Sequence, residues 1–323
     1  SRQNMTSSSL GVATATAALF AVAAAVYLNI PATSRLGSSF SVVDGVFKHE
    51  TEGSEMESFF GKAPADPKFG LVLPSFKDLQ EKVKAMRAKG DDVKVLYLLR
   101  HAEGYHNEAE KEINDHDTWW KDEGLKDKYI DADLNPAGVK QSEDLSSRLS
   151  TSAELGLRVD HLLTSPLRRA VRTAGIAFNL TEDRRSAALP HYSSLSSKKA
   201  LAVELARETL GQLKCDSRLT ATKLAETFPW VDYSGIKEND ELWKPDHRET
   251  IEEKKSRVRQ FLTWLWLNKS LEDSTFFVIA THSGWINAAL KELKVLNPES
   301  KWKPANAQMM GLLVRKNKEE EST

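Results

Sequence analysis

A single cysteine, Cys215, stands in 323 residues. No intramolecular disulfide framework and no cysteine-based zinc site can be built from it. Net charge is almost absent as well. The 45 Lys and Arg side chains are matched by 46 Asp and Glu, a balance of −1, so no global basic field draws nucleic acid. Any anion the protein binds must be met by a local group of cations. Glycine and proline number only 16 and 11, which excludes a collagen-like chain, and a 40% hydrophobic content excludes a wholly disordered one.

Acidic residues are missing from the first 43 positions, and Gln3 to Ser34 carries no charge of either sign. Within that stretch Leu10 to Leu28, LGVATATAALFAVAAAVYL, is just long enough to span a bilayer as a helix. Its alanines add little transfer energy. Three readings stay open: a single membrane anchor, a cleaved signal or organelle-targeting peptide suggested by the small residues around Ala23 and Ala25, and a buried helix. Residues 1–37 are therefore expected to be a targeting or anchor segment, with membrane attachment through residues 10–30 and the compartment left open. The Ser-, Gly- and Glu-rich residues 38–68 read as a linker. Residues 69–316 form the expected folded domain, and the charged residues 317–323 a tail.

Within the domain, strand-like and helix-like segments alternate. Pro74-Ser75 opens a helix carrying Phe76, Leu79, Val83 and Met86 on one face and ending at Gly90. Val93–Leu99 and Thr275–Thr281 are nearly continuous apolar runs, as buried parallel strands require. Asn135-Pro136 caps a helix to Leu149. Val159–Thr164 reads as a strand and 166–178 as a helix, with a third strand over Ala200–Leu205. A long helix over Ile251–Asn268, another over Gly284–Leu293 and a last strand over Met309–Val314 complete the set. This order implies a layered α/β domain.

Polar residues follow three of the strands directly: Arg100-His101-Ala102-Glu103-Gly104, Ser165-Pro166-Leu167-Arg168-Arg169, and His282-Ser283-Gly284. In open α/β sheets ligands bind at the carboxyl ends of strands. Two histidines, arginines and helix-start N–H groups gathered there suit a phosphoryl group. Arginine clamps its oxygens, a helix N-terminus adds positive charge, and a neutral histidine can attack phosphorus. Taken singly, a histidine or arginine at a strand end is more often a cap or a salt-bridge partner. A metal site built on His101, Glu103 and His106 is disfavoured, because the spacing is not the His-Glu-x-x-His helix pattern. The run Glu252–Lys255 reads as a solvated helix face, like Glu319–Glu321.

These boxes resemble those of the histidine phosphatase superfamily, the phosphoglycerate-mutase-like proteins. Arg100-His101-Ala102 is similar to the family's Arg-His-Gly box, Ser165 to Thr173 to its second arginine box, and Thr281-His282-Ser283-Gly284 to its second histidine box. Glu103-Gly-Tyr-His-Asn107, Asp131 to Gly138, Arg207-Glu208, Cys215-Asp216-Ser-Arg218 and Asp240-Glu-Leu-Trp243 resemble a eukaryotic branch. Ala102 departs from the usual glycine.

The resemblance implies a three-layer α/β/α sandwich with a mostly parallel central sheet. It implies His101 as a nucleophile that forms a phosphohistidine, with Arg100, Arg169 and His282 holding the phosphate oxygens. Asn107 and Ser283 are added as substrate contacts, Glu208 as the general acid, and no metal or cofactor. Arg168 is then a surface charge. Glu204 is the rival for the acid and Glu103 a weaker one. The expected acid has its pKa raised by burial.

Hydrolysis of a small phosphorylated substrate is favoured over a mutase-type transfer, since the Gly-Gln-Leu-Lys-Cys-Asp-Ser-Arg stretch after Glu208 lacks the mutases' extended basic pattern. A non-catalytic phospho-ligand binding module tethered to a membrane is the third alternative. Trp119 and Trp120 cover the site or simply pack. Specificity is expected from residues 108–131 and 182–197.

Overall fold

The computed structural model describes residues 39–48, 66–181 and 199–318. Strand β1 (Phe40–Val42) precedes helix α1 (Phe76–Ala88), whose N-cap Ser75 accepts from the Asp78 N–H. Next come β2 (Val93–Arg100), α2 (Tyr105–Ile113), α3 (His116–Lys121) and α4 (Pro136–Glu154), the last capped by Asn135. They are followed by β3 (His161–Thr164), α5 (Arg168–Ala177), β4 (Ala200–Ala202), α6 (Ala221–Thr227) and β5 (Val231–Asp232). The chain closes with α7 (Ile251–Leu267), β6 (Phe276–Thr281), α8 (Ser283–Glu292) and β7 (Met309–Lys316).

The seven strands form one sheet in the order β1-β7-β2-β6-β3-β4-β5. The block β2-β6-β3-β4-β5 is parallel, and β7 runs antiparallel to both β2 and β1. Successive side chains of β2 alternate between two cores. Val95, Tyr97 and Leu99 pack with Phe76 and Leu79 of α1, Leu145 and Leu149 of α4 and Val171 of α5. Leu96 and Leu98 pack with Val258 and Phe261 of α7 and Ile286 and Leu290 of α8. Both faces of the central strands are therefore covered by helices, and the fold is the expected three-layer α/β/α sandwich.

The register brings the polar boxes together. Arg100 pairs with Thr281, and Thr164 with Ala280, so β2, β6 and β3 end at one level. The His101 N–H then donates to the Thr281 carbonyl at 2.9 Å, and the Ser165 N–H to the Ala280 carbonyl at 2.8 Å.

The expected linker needs correcting. Residues 40–48 belong to the sheet layer, with β1 paired to β7 and Val46 and Phe47 buried. The Phe47 ring lies on Gly311 of β7, where a Cβ would meet its Cε1 at 2.1 Å. At the far end, Asn317 belongs to the fold rather than to a tail. Its N–H donates to the Ser39 carbonyl at 2.8 Å, and its side chain accepts from Ser41 Oγ at 2.7 Å. The expected strand at 200–205 stops at Ala202 and passes into a 3₁₀ turn, Glu204–Ala206. The apolar stretch 10–28 and the loop 182–197 lie outside the described residues. Among the described residues no helix is long and apolar enough to cross a membrane.

Candidate active site

His101 leaves the end of β2 in a buried position. Its ring Nδ1 lies 2.7 Å from the Ala102 carbonyl oxygen. A carbonyl can only accept, so Nδ1 carries the proton and Nε2 keeps its lone pair. Burial, then Arg169, the neighbouring His282 ring and Arg100, hold the ring pKa well below its ordinary 6.5, and His101 is neutral. The backbone behind it is fixed by Ala307 N–H and Asn306 Nδ2 on the His101 carbonyl, at 3.3 and 3.2 Å. The Ala102 N–H donates to Thr173 Oγ1 at 2.9 Å, and its methyl group packs with Leu134, Ile176 and Ala307. Alanine is thus accommodated in place of glycine.

His282 caps α8, its ring centre 5.0 Å from that of His101. Its Nε2 is 2.8 Å from Ser165 Oγ, while Nδ1 is buried without a partner among the described residues. Burial and Arg169 hold this ring neutral too.

Arg169, in the first turn of α5, is fully buried. It is anchored from behind by Nη1 on the Cys215 carbonyl at 2.5 Å and Nη2 on Asp216 Oδ1 at 2.9 Å. Arg100 is anchored by Nη1 on the Pro304 carbonyl at 2.6 Å. Among the described residues neither arginine's buried Nε has a partner. The charges of both arginines act on the neutral His101 ring, as they must if an anion is to be held beside it.

Glu208 is placed by Gly284. The Gly284 N–H, in the first turn of α8, donates to Glu208 Oε2 at 3.2 Å, and the Thr209 N–H donates to Oε1 at 2.8 Å. A side chain at 284 would occupy the carboxylate's position. Burial alone pushes this carboxyl up. Lys254, the two backbone N–H groups and Arg169 outweigh it and hold the pKa well below the ordinary carboxylate range. The expectation of a raised value is therefore corrected: the ligand-free site keeps Glu208 anionic.

Glu204 is consumed by Arg207 at 3.1 Å and Arg218 at 2.6 Å, in a buried cluster. Glu103 is tied to Lys111 and to Asn135 Nδ2. Asn107 sits in the first turn of α2, where its Oδ1 accepts from the Gly104 N–H at 3.1 Å, leaving the NH₂ as its donating end. Ser283 is buried beside His282 at the start of α8.

Arg168 departs from the surface role expected of it. It is half-buried, with its N–H on Asp131 Oδ1 and its Nε on the Asp131 carbonyl, both at 2.8 Å. His106 is buried with its ring centre 5.7 Å from that of His101. Trp119 is core, packed on Tyr129 and Leu213. Trp120 instead lies under the Arg248 guanidinium, 5.0 Å from its ring centre. Arg248 donates to Asp216 Oδ2 at 2.7 Å, so one carboxylate holds both Arg169 and Arg248.

Ser165, Asp216 and Lys254 escaped the reading of the sequence as site residues. Ser165 and Asp216 lie inside matched boxes, but Lys254 lies in a run taken as solvated and is in fact buried.

Residues 96–185 match the model of the histidine phosphatase superfamily, branch 1. A phosphoglycerate mutase-like protein of Arabidopsis thaliana is 36% identical over 211 residues, spanning 61% of this chain and 73% of the relative. The chain belongs to the histidine phosphatase superfamily. A probable phosphoglycerate mutase of Saccharomyces cerevisiae is 30% identical over 247 residues, covering 69% of this chain and 81% of that one. Among solved structures, a mycobacterial glucosyl-3-phosphoglycerate phosphatase aligns over 69% of this chain and 91% of its own. Its sequence identity is 20% and its TM-score 0.41. Membership of the histidine phosphatase superfamily supports phosphatase or phosphotransferase chemistry on a phosphorylated substrate.

Proposed function

We propose that the chain is a metal-independent phosphatase that hydrolyses a small phosphate monoester through a phosphohistidine on His101. The observation that carries this reading is the hydrogen bond of His101 Nδ1 to the Ala102 carbonyl, which leaves Nε2 unprotonated. The Nε2 lone pair attacks phosphorus as the P–O ester bond breaks. Arg100, Arg169 and His282 hold the equatorial oxygens, and Asn107 and Ser283 border the same phosphate. A phosphate dianion between Arg100 and Arg169 offsets two of the charges that keep Glu208 ionised. The carboxyl then takes up a proton and delivers it to the leaving oxygen. Afterwards the Glu208 carboxylate accepts a proton from water as that water attacks the phosphohistidine and releases phosphate.

Hydrolysis is favoured over mutase-type transfer by the cations that follow Glu208. Arg218 is spent on Glu204 and on the backbone carbonyls of Leu219, Lys237, Glu238 and Asn239. Lys214 pairs with Asp127 and covers Trp243. Neither is offered to a second anionic group of a substrate. Leu10–Leu28 serves such an enzyme as an anchor or targeting segment.

The test is turnover of a panel of phosphate monoesters in chelator by the wild type and His101→Ala, with acid-labile ³²P captured on the protein. Turnover and label that vanish together in His101→Ala are the expected result. A folded wild type that binds vanadate and turns over nothing would point to a binding module instead.

A further inference from the structure

Burying an ammonium group is costly unless a charge partner offsets it. Lys254 is 8% exposed. It lies one position beyond the capping box of α7, in which Thr250 and Glu253 bond each other's backbone N–H. Its Nζ donates to Thr209 Oγ1 at 2.5 Å, and that hydroxyl donates in turn to Glu208 Oε1 at 3.3 Å. Among the described residues no carboxylate touches the ammonium directly. The charges that favour it are Glu208 and Glu249, and those that oppose it are Arg257 and Arg248. Glu249 is already committed: its oxygens take Arg257 at 2.7 and 2.6 Å and the Leu210 N–H at 3.0 Å. Glu208, by contrast, has no direct ion pair among the described residues, and both its oxygens are held by backbone N–H groups.

We propose that Lys254 is a positioning residue for Glu208, holding the carboxylate against the start of α8 through the Thr209 hydroxyl and through its charge. The inference rests on reading Glu208 as the general acid and base. The groups that face Glu208 are Lys254 from α7, Arg169 from α5, Arg100 from β2, His106 from α2, Arg248 from the segment before α7 and the Cys215 thiol from the turn Lys214–Asp216. Of these, Arg100 and Arg169 are compensated once the phosphate is bound. Lys254 has no such counter-ion in the substrate. Its charge persists through both steps, and it returns Glu208 to the anion needed to activate water.

The experiment is a ¹³C NMR titration, with inorganic phosphate bound, of protein labelled at the glutamate carboxyl carbons, with Glu208 assigned by Glu208→Gln. Wild type, Lys254→Met, Lys254→Gln and Lys254→Arg are compared, each checked for folding by its thermal melt. Loss of the charge should raise the pH at which Glu208 titrates by about one unit or more, and arginine should restore it. The alkaline limb of kcat for an alkyl phosphate, which reports the enzyme–substrate complex, should move up with it. A lysine that only fills space would lower kcat at every pH and leave both the limb and the titration unmoved, which would overturn the proposal. If the titration moves while Glu208→Gln keeps full alkyl phosphate turnover, the Lys254–Glu208 coupling stands and the acid assignment falls. Lys254→Gln is read if Lys254→Met does not fold.

Discussion

A methyl group on Gly284 would lie 2.2 Å from Oε1 of Glu208. The absence of a side chain at the start of α8 is what lets the carboxylate reach two backbone N–H groups. Glycine here serves close approach, since no left-handed backbone conformation is involved.

Gly284→Ala should therefore displace Glu208 without unfolding the protein. The clashing atoms end flexible side chains, and alanine is the better helix former. Turnover of an alkyl phosphate should fall by about 100-fold, the usual scale of general acid catalysis. The loss should be smaller with p-nitrophenyl phosphate, whose leaving group needs little protonation. Equal losses on both substrates would mean that the clash disturbs phosphate binding instead.

Three buried histidines should make stability depend on pH. His101, His106 and His282 are all held neutral, by burial first and by Arg169 next. In the unfolded chain such rings titrate near about 6.5, so the unfolded state takes up protons first as the pH falls. Their contribution is complete above that value and is lost progressively below it. Glu208, depressed in the fold, extends the loss below about 4.3. Urea midpoints should therefore drop between about pH 7.5 and about pH 5. A flat midpoint would show that these rings are not held neutral.

Phe47→Ala should cost about 3 kcal/mol, the scale for truncating a buried phenylalanine. The ring covers Gly311 and packs edge-on to Tyr97, with ring centres 6.4 Å apart. Chemical denaturation would measure it, and a loss within error would return residues 40–48 to the status of a linker.

Much of this arrangement was legible in the residues. Val93–Leu99 and Thr275–Thr281 could be read as buried parallel strands because every position faces a core, and the polar residues that follow each had to emerge at the strand ends. Strands β1 and β5 hold three and two residues, too few for any period to show. The insert helices α2 and α3 carry charges on most faces and rest on Trp119 and its neighbours. Glu204 and Glu208 stand four residues apart in one segment. What separates them is Arg218, 14 residues on, and Gly284, 76 residues on. Lys254 sits in a Glu-Glu-Lys-Lys run that looks solvated, and only the packing of α7 against the Glu208 loop turns it inward. Long-range partners of this kind leave no local pattern.

The register of β1 has an outcome for how the protein is held. Phe40 pairs with Lys316, and Val93 with Arg315, so the chain enters the sheet level with the beginning of β2. His101 stands at the other end of that eight-residue strand, about 25 Å away at the usual rise per residue. A domain fixed at Phe40 therefore carries the His101 end of its sheet on the far side, a strand's length from the point of fixation.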